Sequence, residues 1–183
     1  MMKNSGFFSW LSGNKTESSQ LPEEPQTLNQ DPTPFHIDYD NTLIRKLSED
    51  HTELGRLLNE IKAVSDHGGY MALPELLASF RLVLHAHLIL EEVKFYTYVQ
   101  QLYAKNVNLS SFISDVKKEM NDIASAVMNF IDTYTNQKTI EGNMTEFKRG
   151  LTEIGEILAR RIHLEETRLF SLYMESYKQP FLP

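Results

Sequence analysis

From Asp40 almost to the C-terminus, apolar residues recur at intervals of three and four, the spacing that lines one face of an α-helix. Four segments carry the pattern. The first runs from about Asn41 to Asp66 with Leu43, Leu47, Leu54, Leu58 and Ile61 on one face, and Gly68-Gly69 stops it. The second opens near Pro74, suited to a first helical turn, and runs to about Lys105 through Leu77, Phe80, Leu84 and Phe95. The third is expected to start at an N-cap of Ser110 or Ser111 and to carry Ile113, Val116, Met120, Ile123, Val127 and Phe130. The fourth opens on "NMTE", where Asn143 and Glu146 have capping-box spacing. It continues through Phe147, Leu151, Ile154, Leu158 and Leu169, with Pro180 beyond its end. Strand-like alternation is missing. Four such helices with short connections bury their stripes most simply as an all-α, antiparallel up-down-up-down four-helix bundle.

Residues 1–38 have a different character. They hold four of the seven prolines (Pro22, Pro25, Pro32 and Pro34) among Ser, Asn, Gln and Glu. Too little apolar area is available there to offset chain entropy, so a flexible, disordered leader is expected before a bundle over residues 39–178. Phe7, Phe8, Trp10 and Leu11 make a stretch too short for a signal peptide, and no cleavage site follows. It reads as tail, with docking on a membrane surface or a partner as the other use. No membrane span is expected, because no run approaches about 18 uncharged apolar residues.

A formal charge of −7 argues against nucleic acid, which requires a basic face. The absence of Cys removes disulfides, thiolate metal sites and Cys nucleophiles. With no export signal, it sets the expectation of a cytoplasmic protein. There is no nucleophile–base constellation and no phosphate loop, so an enzyme is not expected.

Each apolar stripe meets polar residues when extended by threes and fours. His51 lies between Leu47 and Leu54, His87 and Glu91 between Leu84 and Phe95, and Arg161 and Glu165 between Leu158 and Leu169. Met120 holds the corresponding place on the third helix, with Glu119 about 100° to its side. His85 and His163 sit two residues from inner positions, a rotation of about 200°, and should face outward. His36 falls in the leader, and His67 ends the first helix, where an imidazolium meets the last carbonyls. Carboxylates buried on facing helices must be neutralised.

The stretches "LIRKLSEDHTEL", "HLILEEVKFY" and "RIHLEETRLFSLY" resemble the hemerythrin-like (HHE) domains, four-helix bundles that hold a non-haem di-iron centre. The resemblance covers roughly residues 41 to 177. It implies that His51 and His87 hold one iron and that Glu91 and Glu165 are the bridging carboxylates. Where the second iron's histidines belong, this chain has Met120 (or Glu119) and Arg161. A guanidinium there can replace a cation by gripping carboxylate oxygens. Three states of the site remain open. One is a single ion on His51, His87, Glu91 and Glu165, joined by Glu119 if it reaches inward, with Fe(II) expected and Mn(II) or Zn(II) also suited. The others are a metal-free polar network and a full di-iron centre.

The resemblance implies a non-enzymatic bacterial regulatory module that senses or binds a small ligand such as dioxygen or nitric oxide, or handles iron. Residues 146–166 also resemble the last helix of anti-sigma regulators of the Rsd/AlgQ type. That alternative makes the chain a metal-free bundle acting through a protein partner, its acidic faces engaging a basic surface. A dimer is compatible with either reading.

Overall fold

The computed structural model describes residues 36–178. The expectations for residues 1–35, among them the Phe7–Leu11 stretch, and for Pro180 lie outside them. Among the described residues there are five helices and no strand: α1 (Leu43–Asp66), α2 (Leu73–Leu102), α3 (Val107–Thr133), α4 (Gln137–Gly142) and α5 (residues 144–178).

Local chemistry sets the ends. Asp40 receives the Thr42 N–H at 2.9 Å and the Thr42 hydroxyl at 2.7 Å, turning the chain into α1. Tyr173 locks that entry from α5: its hydroxyl accepts from the Asp40 N–H at 2.8 Å and donates to the Asp40 carbonyl at 3.1 Å. The segment just before α1 is held by α2 as well. Ile37 is buried, and the Gln101 amide bonds both its N–H (3.1 Å) and its carbonyl (3.2 Å). At the far end of α1, His67 Nδ1 meets the Ala63 carbonyl at 2.7 Å, and Gly68 takes φ +76°, a left-handed conformation that other residues adopt only with strain.

Two helix starts differ from expectation. The cap of α3 is Asn106, which accepts from the Leu109 N–H at 3.1 Å, four residues before Ser110. The exposed Val107 breaks the apolar period in that first turn and hides it from a pattern search. At α5, Asn143 is the N-cap residue but does not cap with its side chain. Its amide donates instead to the Thr139 carbonyl at 2.9 Å, because α4 ends directly against it. The α4 turn itself was not foreseen. Asn136 caps it and Ile140 is fully buried.

Ion pairs give the helix directions. Asp66 pairs with Lys148 at 2.9 Å, while His51 meets Glu166 at 2.9 Å near the opposite end, so α1 and α5 run antiparallel. Arg81–Asp132 and Glu92–Lys117 do the same for α2 and α3. By length and composition alone, α2 is long and apolar enough to cross a membrane, with a mean hydropathy of 1.4, although Glu75 and Arg81 interrupt it. The value reflects apolar residues on both faces: Leu77, Phe80 and Leu84 are buried, and Leu82, Ile89 and Val93 are exposed.

The core comes in two blocks. One gathers Leu54, Ile61, Leu77, Phe80, Leu151 and Leu158; the other gathers Leu43, Leu47, Phe95, Val116, Leu169 and Tyr173. On every long helix the residues between the blocks are the interrupters of the stripes: His51, His87 with Glu91, Met120, and Arg161 with Glu165. A polar layer divides an otherwise apolar interior.

Candidate metal centre

Both carboxylates of this layer start a π-turn, Glu91–Tyr96 in α2 and Glu165–Leu169 in α5. The wider turn lets consecutive residues face inward, so that Phe95 and Tyr96 are both buried, as are Leu169 and Phe170. Such bulges concentrate at functional sites because they re-aim side chains. The two stretches also match in sequence. His87-x-x-x-Glu91-Glu92 and Arg161-x-x-x-Glu165-Glu166 place a cationic or coordinating group one turn before a carboxylate.

His51, His87, Glu91, Arg161 and Glu165 are each under 5 % exposed. His51 Nε2 lies 2.9 Å from Glu165 Oε2. The contact lacks hydrogen-bond alignment, and His51 Nε2, His87 Nδ1 and Glu91 Oε1 are all buried with no hydrogen-bond partner. One donor atom from each of His51, His87 and Glu165 falls within 4.8 Å of the others. Orphaned buried atoms of this kind are costly, and a cation between the His51, His87 and Glu165 donors would draw on all three residues. The other His51 nitrogen, Nδ1, meets Glu166 Oε1 at 2.9 Å. With Nδ1 turned to Glu166, Nε2 faces the interior, the arrangement in which a carboxylate orients a metal-binding imidazole. Asp50 Oδ2 stands 3.7 Å behind His87 Nδ1, and Glu91 Oε2 lies 3.9 Å from His87 Nε2.

The other half of the layer is closed by Arg161. Its Nε donates to Glu165, one terminal nitrogen donates to the Val116 carbonyl at 3.1 Å, and the other donates to the Tyr96 hydroxyl with Glu91 Oε1 3.8 Å away. A guanidinium is permanently protonated and has no lone pair to offer a metal. Its place is that of a cation.

Titration follows from burial and neighbours. Burial, then the Glu165 charge, pushes the Glu91 carboxyl well above its ordinary value. Burial and the nearby His51 charge drop His87 to about 4, holding it neutral. Burial also works against a charged His51, but the Glu165 and Glu166 carboxylates beside its ring outweigh it and raise its pKa. For Glu165, burial is outweighed by His51 and Arg161, and its pKa falls.

The hemerythrin HHE cation binding domain, as a family model, matches residues 42–173. The chain belongs to this family. No curated protein and no solved structure matches it. The second resemblance, to anti-sigma regulators, finds no support. The helix that carries it buries Arg161 and Glu165 in the polar layer of the HHE domain, and amphipathic helices resemble one another cheaply.

Five of the residues singled out in the sequence come together: His51, His87, Glu91, Glu165 and Arg161. Met120 is buried beside them as a thioether on the wall. Glu119 is exposed and outside the layer, which corrects its inclusion as an inward carboxylate; its rotation from Met120 carries it past the seam. His85 and His163 are exposed. Sequence reasoning missed Asp50 and Glu166, which act from the margin of the layer where no stripe points. The doubled glutamates at 91–92 and 165–166 were the one visible signal.

Proposed function

We propose that this HHE domain is a binding module with a mononuclear centre: one divalent ion, Fe(II) first and Mn(II) or Zn(II) next, held by His51, His87 and Glu165 with Glu91 beside them. The observation that supports this reading is the convergence of His51, His87 and Glu165, one donor atom of each lying within 4.8 Å of the others, while a guanidinium binds Glu165 from its own side. Histidine and carboxylate suit Fe(II), Mn(II) and Zn(II). Met120 and Arg161 do not suit a second iron, so a di-iron centre does not fit these residues. A bound ion would supply an open position for a small ligand, and the module would sense or bind that ligand, or handle iron, rather than catalyse. The protein's own contributions are distinct. Glu166 orients the His51 ring, Arg161 holds Glu165 and Tyr96 in place, and the apolar blocks keep bulk water from the layer.

Elemental analysis of protein purified without chelator, with a visible absorption spectrum, tests the reading. Wild type and His85→Ala should carry close to one metal per chain, and His87→Ala none. Two metals per chain with the spectrum of a bridged ferric pair would overturn the mononuclear reading. Trace metal throughout would leave a metal-free polar network.

A further inference from the structure

The face of α2 turned away from the polar layer is apolar as well. Leu82 is 72 % exposed, Ile89 51 % and Val93 49 %, and the exposed Ala86 lies among them. Their spacing of four, three and four residues is that of a coiled-coil seam, and it sets all four on one line of the helix. Met71, Val107 and Met174, also exposed, stand singly elsewhere. A continuous apolar line on a surface marks an interaction site, whereas single residues do not. The two flanks of the line differ. One carries Arg81, paired with Asp132 of α3, and Glu92, paired with Lys117 of α3 at 2.6 Å, with His85 between them. The other carries the half-buried Val83 and Leu90 and, beyond them, Lys94, whose charge acts on Asp40.

We propose that this line packs antiparallel on the same line of a second copy of the chain, about a two-fold axis at the level of His87 and Leu88. In that register Leu82 meets Val93 of the second copy and Ala86 meets its Ile89, each pair occurring twice by symmetry. An antiparallel two-fold turns each flank onto itself in reverse order. The charged flanks then set Arg81 and His85 against Glu92 of the second copy, and the apolar flanks set Val83 against its Leu90. The line complements itself in both shape and charge, which is the ground for choosing a second copy as its occupant. Arg81 and Glu92 already have partners within the chain, so closing the interface strands neither charge. A parallel pairing would instead lay the charged flank of one copy on the apolar flank of the other. Glu75, farther along the same line, lies beyond the overlap and stays solvated. The overlap from Leu82 to Val93 spans roughly 17 Å at 1.5 Å per residue, a small contact that suits a reversible dimer of micromolar Kd. None of these residues belongs to the polar layer, so the pairing stands independently of the metal reading.

Sedimentation velocity of the full chain at rising concentration tests the pairing. Wild type should pass from monomer to dimer across the micromolar range. Leu82→Glu and Ile89→Glu should each weaken the dimer by at least about tenfold, with helix content and metal content as in wild type. Val107→Glu, at an exposed apolar residue outside the line, should leave the dimer unchanged. The chain has no Cys, so single cysteines report the register without background. A mixture of Leu82→Cys and Val93→Cys chains should cross-link under mild oxidation, and neither variant should do so alone. Only the mixed pair falls within the roughly 7 Å between Cα atoms that a disulfide spans. Cross-linking of each variant by itself would show parallel pairing and overturn the proposed arrangement. A chain that stays monomeric overturns the proposal, and so does one whose Leu82-dependent binding is to phosphatidylcholine vesicles instead. A dimer indifferent to both Leu82→Glu and Ile89→Glu overturns it as well.

Discussion

Arg161 is the residue on which the polar layer depends most. Its guanidinium, 3 % exposed, offsets the charge of Glu165 and gives donors to the Tyr96 hydroxyl and the Val116 carbonyl. Arg161→Met leaves all of these unpaired in the interior and should destabilise the metal-free protein by about 3–5 kcal/mol, measured by urea unfolding. Arg161→His restores one coordinating nitrogen; its metal content should rise above one ion per chain, and an unchanged count would show that the guanidinium does not stand in for a cation. Glu91 reports on pH. In metal-free protein its folded pKa lies above the unfolded 4.5, so between those values the folded state binds more protons and stability falls as pH rises. His87, lowered from 6.5 to about 4, acts oppositely, and stability falls as pH drops through that window. Glu91→Gln removes only the first effect. Thermal melts should show the variant gaining on wild type at pH 8 relative to pH 5. The inner and outer sorting of His51, His87, His85 and His163 was legible because 3.6-residue rotation decides it. Glu166 and Asp50 were not, because each acts sideways on a histidine from outside the stripe.

At the scale of elements, the long helices were legible wherever one apolar face persists, and their irregularities were not. Nothing in the period announces a π-turn, yet Glu91–Tyr96 and Glu165–Leu169 bring consecutive residues inward at the layer itself. Thr97 helps to hold the first, its hydroxyl donating to the Glu92 carbonyl at 3.1 Å. Deleting Val93, half-exposed in this turn, should convert it to a regular helical turn. Circular dichroism should show helix content close to wild type, with metal binding lost as Glu91 and Tyr96 are re-aimed. The start of α3 supplies a second check. Asn106→Ala should cost about 1 kcal/mol as an N-cap loss, while Ser110→Ala and Ser111→Ala should each cost only a few tenths. Sequence favoured the serines because the apolar stripe becomes continuous only at Ile113. The hydrogen bond to Leu109 places the cap earlier.

The whole molecule couples metal to folding, because the polar layer lies between two apolar blocks and draws on α1, α2 and α5 at once. An unfolded chain scatters His51, His87 and Glu165 over more than a hundred residues of sequence, so an ion that needs all three binds the folded state alone. At a free metal concentration 100 times Kd, linkage adds about 2.7 kcal/mol. For a chain of this size that should raise Tm by about 5–11 °C, and His87→Ala should lose the increment while His85→Ala keeps it. Proton release accompanies uptake. With no cation near, the Glu91 carboxyl holds its proton more tightly than an ordinary carboxyl, and below its raised pKa it must give that proton up to lie ionised beside an ion. Metal affinity should therefore rise with pH up to the folded Glu91 pKa and level off above it. Calorimetric titrations in buffers of differing ionisation enthalpy count the protons released. A count near zero in the acidic range would mean that Glu91 stays protonated beside the bound ion, and that His51, His87 and Glu165 hold it without a fourth ligand.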